Sequence, residues 1–261
     1  MRIDSYLTDT GVAESRTKAK EMILSGVIYV DGVCCTKPSQ EVEHPQIEVR
    51  GETLCYVGRG GLKLEEALRQ FSVSVQGMTA VDIGASTGGF TQCLLMQGAK
   101  KVYAVDAGHG QLHEKLRRDP RVVSMEGVNA RMLTQTMLGE SCDIAVMDVS
   151  FISQSLLYPT VRTLLRENGL LISLIKPQFE VGKAYIGKNG IVRDRKRCVE
   201  AMERLVEEAA LSGLYCQKII ASPITGGDGN HEFLGLFACG REPIKPMVTA
   251  DQIKMLVFRK Q

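Results

Sequence analysis

Thr79-Ala80-Val81-Asp82-Ile83-Gly84-Ala85-Ser86-Thr87-Gly88-Gly89-Phe90 is followed, a dozen residues on, by Val102-Tyr103-Ala104-Val105-Asp106. The first five residues form a short, largely apolar run that suits a buried strand. The glycine-rich stretch is its exit turn, Phe90 to Gln97 starts the next helix, and Gly98 ends that helix. Val102 to Asp106 is then a second strand, ending in a carboxylate. Strand, glycine turn, helix and strand together make the opening unit of a Rossmann-type parallel sheet. Glycines let the backbone approach a ligand closely, and a helix N-terminus offers unpaired N–H groups. Asp106, about 20 residues past the loop, is placed to accept hydrogen bonds from both ribose hydroxyls of a nucleoside-containing cofactor. Asp82, Gly84, Ala85, Ser86, Thr87, Gly88, Gly89, Phe90 and Asp106 are therefore candidate cofactor residues.

The spacing narrows the cofactor. The dinucleotide pattern Gly-x-Gly-x-x-Gly is absent because position 86 is Ser, and the pattern is instead Asp-x-Gly-x-x-x-Gly-Gly. That spacing, with an acid two positions before the first glycine, favours S-adenosylmethionine over NAD. Farther along, Val122 to Met125 reads as a third strand and Cys142 to Asp148 as a fourth. Leu170 to Ile175 is another, running into Lys176. Ser155 to Arg166 reads as a crossover helix stopped by Glu167-Asn168-Gly169. Leu214 to Ser222 and Phe233 to Cys239 form a late strand pair, which fits the antiparallel final hairpin typical of class I methyltransferases. The expected fold is thus α/β, a class I (Rossmann-like) methyltransferase domain. Ligands of open α/β sheets bind outside the carboxyl ends of the strands. Asp148 and Lys176 should accordingly face the reactive end of the cofactor, with Glu232 near the same edge.

Residues 1–57 have a different texture. Asp4-Ser5-Tyr6-Leu7 opens a short helix, Ser15 caps a second from Arg16 to Ser25, and Gly26 stops it. Val27 to Val30 is a strand running into the turn at Asp31-Gly32, and Gln46 to Val49 is another. This order resembles the S4-like (αL) RNA-binding module, an α+β unit. The resemblance rests on Arg2-x-Asp4, Ser15-Arg16-x-x-Ala19, Ile23-x-x-Gly26-x-Ile28-x-Val30-Asp31-Gly32 and Lys37-Pro38. It implies that Arg16, Lys18 and Lys20 on the second helix meet RNA phosphates, contacts that position a protein without reading sequence. The module holds six Lys/Arg against nine Asp/Glu, so any basic face must be segregated from an acidic one. Residues 58–63 read as a linker, with Gly58, Gly60 and Gly61 suggesting a hinge or a close backbone approach. The second domain then runs over 64–261, opening with a helix lined by Leu62, Leu64, Ala67, Leu68 and Phe71.

Composition sets bounds on function. At 261 residues, 44% hydrophobic and 24% charged, the chain suits a globular α/β domain with a small appendage. A net charge of +2 means that any nucleic-acid surface is local rather than global. The longest apolar run, Leu170 to Ile175, is strand-sized, and Met1-Arg2-Ile3-Asp4 turns polar at once, so neither a membrane span nor a signal peptide is expected. The eight cysteines include no Cys-x-x-Cys pair, and the histidines lack ligand spacing, so free thiols and no metal site are expected. A cytoplasmic, monomeric protein follows from this reading.

Asp148, Lys176 and Glu232, with Lys63 upstream, match the Lys-Asp-Lys-Glu tetrad of FtsJ-type ribose 2′-O-methyltransferases. Five strings resemble the TlyA family of rRNA (cytidine-2′-O)-methyltransferases, historically called hemolysins. They are Gly58-Arg59-Gly60-Gly61-Leu62-Lys63-Leu64, the Asp82 to Thr91 loop, Asp148-Val149-Ser150-Phe151-Ile152-Ser153, Lys176-Pro177-Gln178-Phe179-Glu180 and Ser222-Pro223-Ile224-Thr225-Gly226. The resemblance implies a cytidine 2′-hydroxyl of ribosomal RNA within a ribosomal subunit as acceptor. Large-subunit RNA is the favoured target in that family's shorter form, and small-subunit RNA stays open. It implies catalytic roles for Lys63, Asp148, Lys176 and Glu232, with Lys176 deprotonating or electrostatically stabilising the attacking oxygen. By the same match Asn129 and Ala130 meet the adenine and Asp148 lies beside the cofactor, while Phe151 packs beside the cofactor or the target base, with a place in the core as the alternative. Arg59 and Arg131 join Arg2, Arg16, Lys18, Lys20 and Lys37 as RNA contacts. The segment from Lys176 to Arg197, seven Lys/Arg against two acids, reads as an RNA-gripping loop. Two other classes compete: a non-catalytic RNA-binding assembly factor, and a membrane-lytic protein. The intact tetrad and loop oppose the first, and the lack of a spanning or cationic amphipathic segment opposes the second.

Overall fold

The computed structural model describes residues 1–24, 27–35, 37–49, 56–187, 190–226, 229–243 and 247–258. The chain divides into two units, Met1–Arg59 and Gly60–Gln261.

In the first unit, α1 (Ile3–Asp9) and α2 (Arg16–Leu24) pack beside a small antiparallel sheet of β1 (Ile28–Val30), β2 (Val33–Cys34) and β3 (Ile47–Val49), in the order β2-β1-β3. Ile3, Leu7, Ala19, Met22, Ile23 and Ile28 form its core. Ser15 starts α2 as its composition demands, its hydroxyl accepting from the Lys18 N–H at 3.2 Å. The helix end expected at Ser25 and Gly26 lies outside the described residues. The two-residue β2 was not anticipated from sequence; it forms because the turn at Asp31-Gly32 folds Val33 back onto Val30.

The second unit opens with α3 (Gly60–Phe71). Of the linker expected over 58–63, Gly60 to Lys63 are thus the first turn of a helix. Its buried face is Gly61, Lys63, Leu64, Ala67 and Leu68, which places a lysine among apolar neighbours. There follow β4 (Thr79–Ile83), α4 (Gly89–Met96), β5 (Lys101–Asp106), α5 (Glu114–Arg117), β6 (Val122–Glu126), α6 (Gln135–Leu138) and β7 (Cys142–Met147). The chain continues through α7 (Tyr158–Leu164), β8 (Leu165–Ile175), α8 (Arg195–Leu211), β9 (Leu214–Ala221), β10 (Phe233–Cys239) and α9 (Ala250–Phe258).

The sheet order is β6-β5-β4-β7-β8-β10-β9, with β10 antiparallel to both of its neighbours and the other pairs parallel. All five residues of β4 are buried, as a central strand covered on both faces requires. Chain order reverses between β4 and β7, and that switch point opens a crevice beyond the strand ends. The crossover helix expected from Ser155 to Arg166 is shorter. A 3₁₀ turn spans Gln154–Leu156 and α7 begins at Tyr158, because Pro159 is tolerated only in a helix's first turn. The expected stop, Glu167-Asn168-Gly169, lies inside β8, where Leu165 already pairs with Cys142. Among the described residues, no helix is long and apolar enough to cross a membrane.

Candidate functional site

The glycine turn between β4 and α4 lies at the switch point. Gly84 has φ +85°, and a Cβ there would stand 2.3 Å from the carbonyl oxygen of Asp148, so only glycine lets the β4 exit pass the β7 exit. Asp106, ending β5, accepts from the Ser86 N–H at 2.8 Å on one oxygen and from the Gly108 N–H at 2.7 Å on the other. Ahead of the helix N-terminus, the N–H groups of Gly84, Ala85, Ser86 and Gly88 are already bonded within the protein. Val105, Asp106 and Ala85 accept them, because the turn folds back against β5. Ala85, Gly88, Gly89 and Phe90 are buried, while Ser86 and Thr87 stay exposed.

Asp82 is wholly buried within β4. One of its oxygens accepts from the Thr91 hydroxyl at 2.6 Å, and the other has no hydrogen-bond partner. Burial pushes its carboxyl up to about 7, an effect the Thr91 hydrogen bond opposes and the Asp148 and Asp106 carboxylates reinforce. Thr91 was not legible as a site residue in the sequence; it is simply the polar side chain that the first turn of α4 points at Asp82.

Lys63, Asp148, Lys176 and Glu232 come together as two ion pairs. Lys63 Nζ, on the buried face of α3, donates to Glu232 Oε2 at 2.5 Å. Lys176 Nζ lies 2.5 Å from Asp148 Oδ1, off the line of a hydrogen bond, and donates instead to Ser150 Oγ at 2.9 Å. Strand register explains the grouping. Asp148 follows β7 and Lys176 follows β8. Phe233 pairs with Ile175 across the antiparallel β8–β10 ladder, so Glu232 falls opposite Lys176. Gly226 lies beside Glu232, where a Cβ would stand 2.6 Å from Glu232 Oε1 and push that carboxylate aside. Gly60 makes the close approach anticipated for its glycine cluster, its would-be Cβ 3.2 Å from the Phe90 ring and 4.0 Å from Asp148 Oδ2.

Glu180 ties the two loops that carry this site, and its sequence gave no signal beyond proximity to Lys176. Buried, it accepts from Ser153 Oγ at 2.7 Å and from the Gln154 N–H at 3.0 Å. Desolvation raises its carboxyl above the ordinary range against those hydrogen bonds. Phe151 is 92% exposed with φ +65°, its ring centroid 5.1 Å from that of Phe179, so it takes no place in the core. A bulky residue in the left-handed region marks a loop held by its surroundings.

Asn129 accepts from the Arg131 N–H at 3.0 Å at the turn after β6, leaving Ala130 half-buried and Arg131 exposed. In the first unit, Arg2 and Arg16 converge on the buried Asp4. Arg2 gives it two hydrogen bonds of 3.0 Å and Arg16 one of 3.1 Å. Those hydrogen bonds, Arg2's first, hold the Asp4 carboxyl well below the usual range. Lys18 pairs with Glu21 at 3.6 Å, while Lys20 and Lys37 are exposed and Arg59 half-buried. Among the described residues, no group of three or more His, Cys, Asp or Glu is arranged to hold a metal ion.

A sheet of this order, with carboxylates at its switch point and a glycine turn between them, defines a class I methyltransferase fold. The FtsJ-like methyltransferase family matches residues 56–238, and the S4 domain matches residues 1–45. The chain belongs to the FtsJ-like methyltransferase family, carries an S4 domain, and is a relative of TlyA. It is 47% identical over 235 residues to YqxC of Bacillus subtilis, which bears an rRNA methyltransferase name, across 89% of this chain and 84% of that one. It is 40% identical over 237 residues to the 16S/23S rRNA (cytidine-2′-O)-methyltransferase TlyA of Mycobacterium tuberculosis, across 89% and 87% of the two chains. A solved structure of a Streptococcus thermophilus protein named as a hemolysin shares 40% identity at a TM-score of 0.79, covering 98% of this chain and 94% of that one.

Proposed function

We propose that this chain transfers the methyl group of S-adenosylmethionine to the 2′-hydroxyl of a cytidine in ribosomal RNA, working on ribosomal subunits in the cytoplasm. The observation that carries the reading is the meeting of Lys63–Glu232 and Lys176–Asp148 at one edge of the sheet.

The residues at the switch point fit the cofactor. Asp106 receives one backbone donor on each oxygen, which leaves lone pairs for two ribose hydroxyls. Asp82 keeps a buried oxygen without a partner, and the Asp106 and Asp148 carboxylates make the strand ends negative, which suits a ligand carrying sulfonium and ammonium charges. Gly84 to Phe90 form the cradle, Asn129 and Ala130 meet the adenine, and Phe151 flanks the bound molecule. When bound, S-adenosylmethionine supplies an electrophilic methyl group for in-line displacement.

The chain's own task is to align a weakly acidic hydroxyl and to manage its proton. Lys176 Nζ, held between Asp148 and Ser150, stabilises the oxygen that loses the proton while it is the ammonium paired with Asp148, and receives that proton only after giving up one of its own. Asp148 fixes the direction of Lys176. The Lys63–Glu232 pair, anchored by α3 and the start of β10, holds the ribose, and alignment of this kind supplies several kcal/mol of the barrier. Arg2, Arg16, Lys18, Lys20 and Lys37 of the S4 domain, with Arg59 and Arg131, contact the RNA backbone. The decisive experiment replaces Lys176 with alanine. Methylation of ribosomal subunits is abolished while S-adenosylmethionine affinity stays within a few-fold; full activity in that variant would sink the assignment. Mapping 2′-O-methyl positions by reverse-transcription stops on both subunits identifies the target nucleotide.

A further inference from the structure

We propose that a cavity next to the tetrad is a subsite for an unpaired nucleotide of the RNA that flanks the methylated one. The inference rests on the function proposed above.

The cavity has a volume of about 450 Å³, within the ~300–1,000 Å³ range of small-ligand sites. It is flanked by the chain neighbours of two tetrad residues, Pro177 after Lys176 and His231 before Glu232, yet no tetrad residue lines it. An occupant would touch no tetrad residue, so it does not compete with the reacting ribose. Phe233, Leu256 and Val257 supply an apolar lining from the start of β10 and from α9. Arg193 and Arg195 supply cations and His231 an imidazole, and among the described residues no carboxylate lines the space.

The wall is preformed. Asn230, 3% exposed, spends its amide on the loop that carries Arg193, accepting from the Val192 N–H and donating to the Gly190 carbonyl, each at 3.0 Å. Arg195 Nη1 donates to the Phe258 carbonyl at 3.3 Å, joining α8 to the end of α9. An apolar interior edged by guanidinium groups matches the two parts of a nucleotide, a base with apolar faces and an anionic phosphate. In a chain whose substrate is RNA, that complementarity identifies an unstacked nucleotide as the occupant.

The test uses the full chain, large ribosomal subunits and radiolabelled S-adenosylmethionine under single-turnover conditions. Arg193→Ala removes a rim charge. It should raise the half-saturating subunit concentration about tenfold and lower the salt dependence of binding by about one ion. Val257→Trp fills the cavity without changing charge, and should give a similar rise with the salt dependence unchanged. In both variants the rate at saturating RNA and the cofactor affinity stay within twofold of wild type. The inference is overturned if Arg193→Ala half-saturates like wild type, or if it lowers the saturated rate or cofactor affinity instead. Should Val257→Trp fail to fold, the smaller fill Val257→Phe takes its place, because Arg193→Ala alone does not separate the cavity from a phosphate contact of its loop. A wild-type chain that methylates neither subunit removes the parent reading and this inference together; an active wild type with indifferent variants removes this inference only.

Discussion

Replacing Asp82 with asparagine should change how the stability of the larger unit depends on pH, by an amount the structure fixes. The Asp82 carboxyl is completely buried, and its affinity for a proton rises from an ordinary 3.8 to about 7. The native state therefore holds this proton across a window in which the unfolded chain has released it. Stability slopes with pH as protons bound in the unfolded state minus those bound in the native state, which is negative here. The stability present at acidic pH is lost as pH rises from about 4 to about 7. At 1.36 kcal/mol per unit the full loss is about 4 kcal/mol, of which roughly 2.5 kcal/mol falls between pH 5 and pH 8. Against a typical total of about 5–15 kcal/mol, that is readily measured. Asparagine keeps an acceptor for the Thr91 hydroxyl and has nothing to titrate. Urea unfolding of both proteins at pH 5 and pH 8, extrapolated linearly, gives the four free energies needed. The difference in favour of Asp82→Asn should grow by roughly 2.5 kcal/mol from pH 5 to pH 8. A difference that moves by less than about 0.5 kcal/mol, or that shrinks, refutes the account of a carboxyl kept protonated by burial.

The tetrad pair Lys63–Glu232 is almost fully buried, so Glu232→Ala should cost about 3–5 kcal/mol by leaving an uncompensated ammonium. The double change Lys63→Met with Glu232→Leu should recover most of that in thermal melts while staying inactive; recovered activity would deny the pair its part in catalysis. In the S4 domain, Asp4→Asn adds one positive charge, which by charge alone would tighten RNA binding. Because Asp4 sets the direction of Arg2 and Arg16, ribosomal RNA affinity at fixed salt should instead fall several-fold, and a gel-shift assay showing tighter binding would reverse that view.

Much of the sheet was legible because burial on both faces leaves a local mark. The run Thr79 to Ile83 and the hairpin strands at 214–222 and 233–239 agree with β4, β9 and β10 to within a residue. Reading failed where local composition was ambiguous. Ser155 to Arg166 looked uniformly helical, yet Pro159 and the pairing of Leu165 with Cys142 cut the helix at both ends. Nothing in the sequence marks Glu180 or Thr91 as a site residue, because a carboxylate and a hydroxyl gain meaning only from what they face.

The glycine turn from Gly84 to Gly89 and the acids that end its strands were set by sequence alone, since backbone freedom and strand length are properties of neighbouring residues. The sequence also supplied the four polar residues that match a tetrad. Which lysine meets which acid was decided by tertiary structure. Lys63 and Glu232 are 169 positions apart, and only the packing of α3 beside β10 and the β8–β10 register bring them together. Asp82 is sealed from water by its place in β4, between β5 and β7 and beneath α4. No sequence pattern carries that protonation, because desolvation depends on every element that closes over the group.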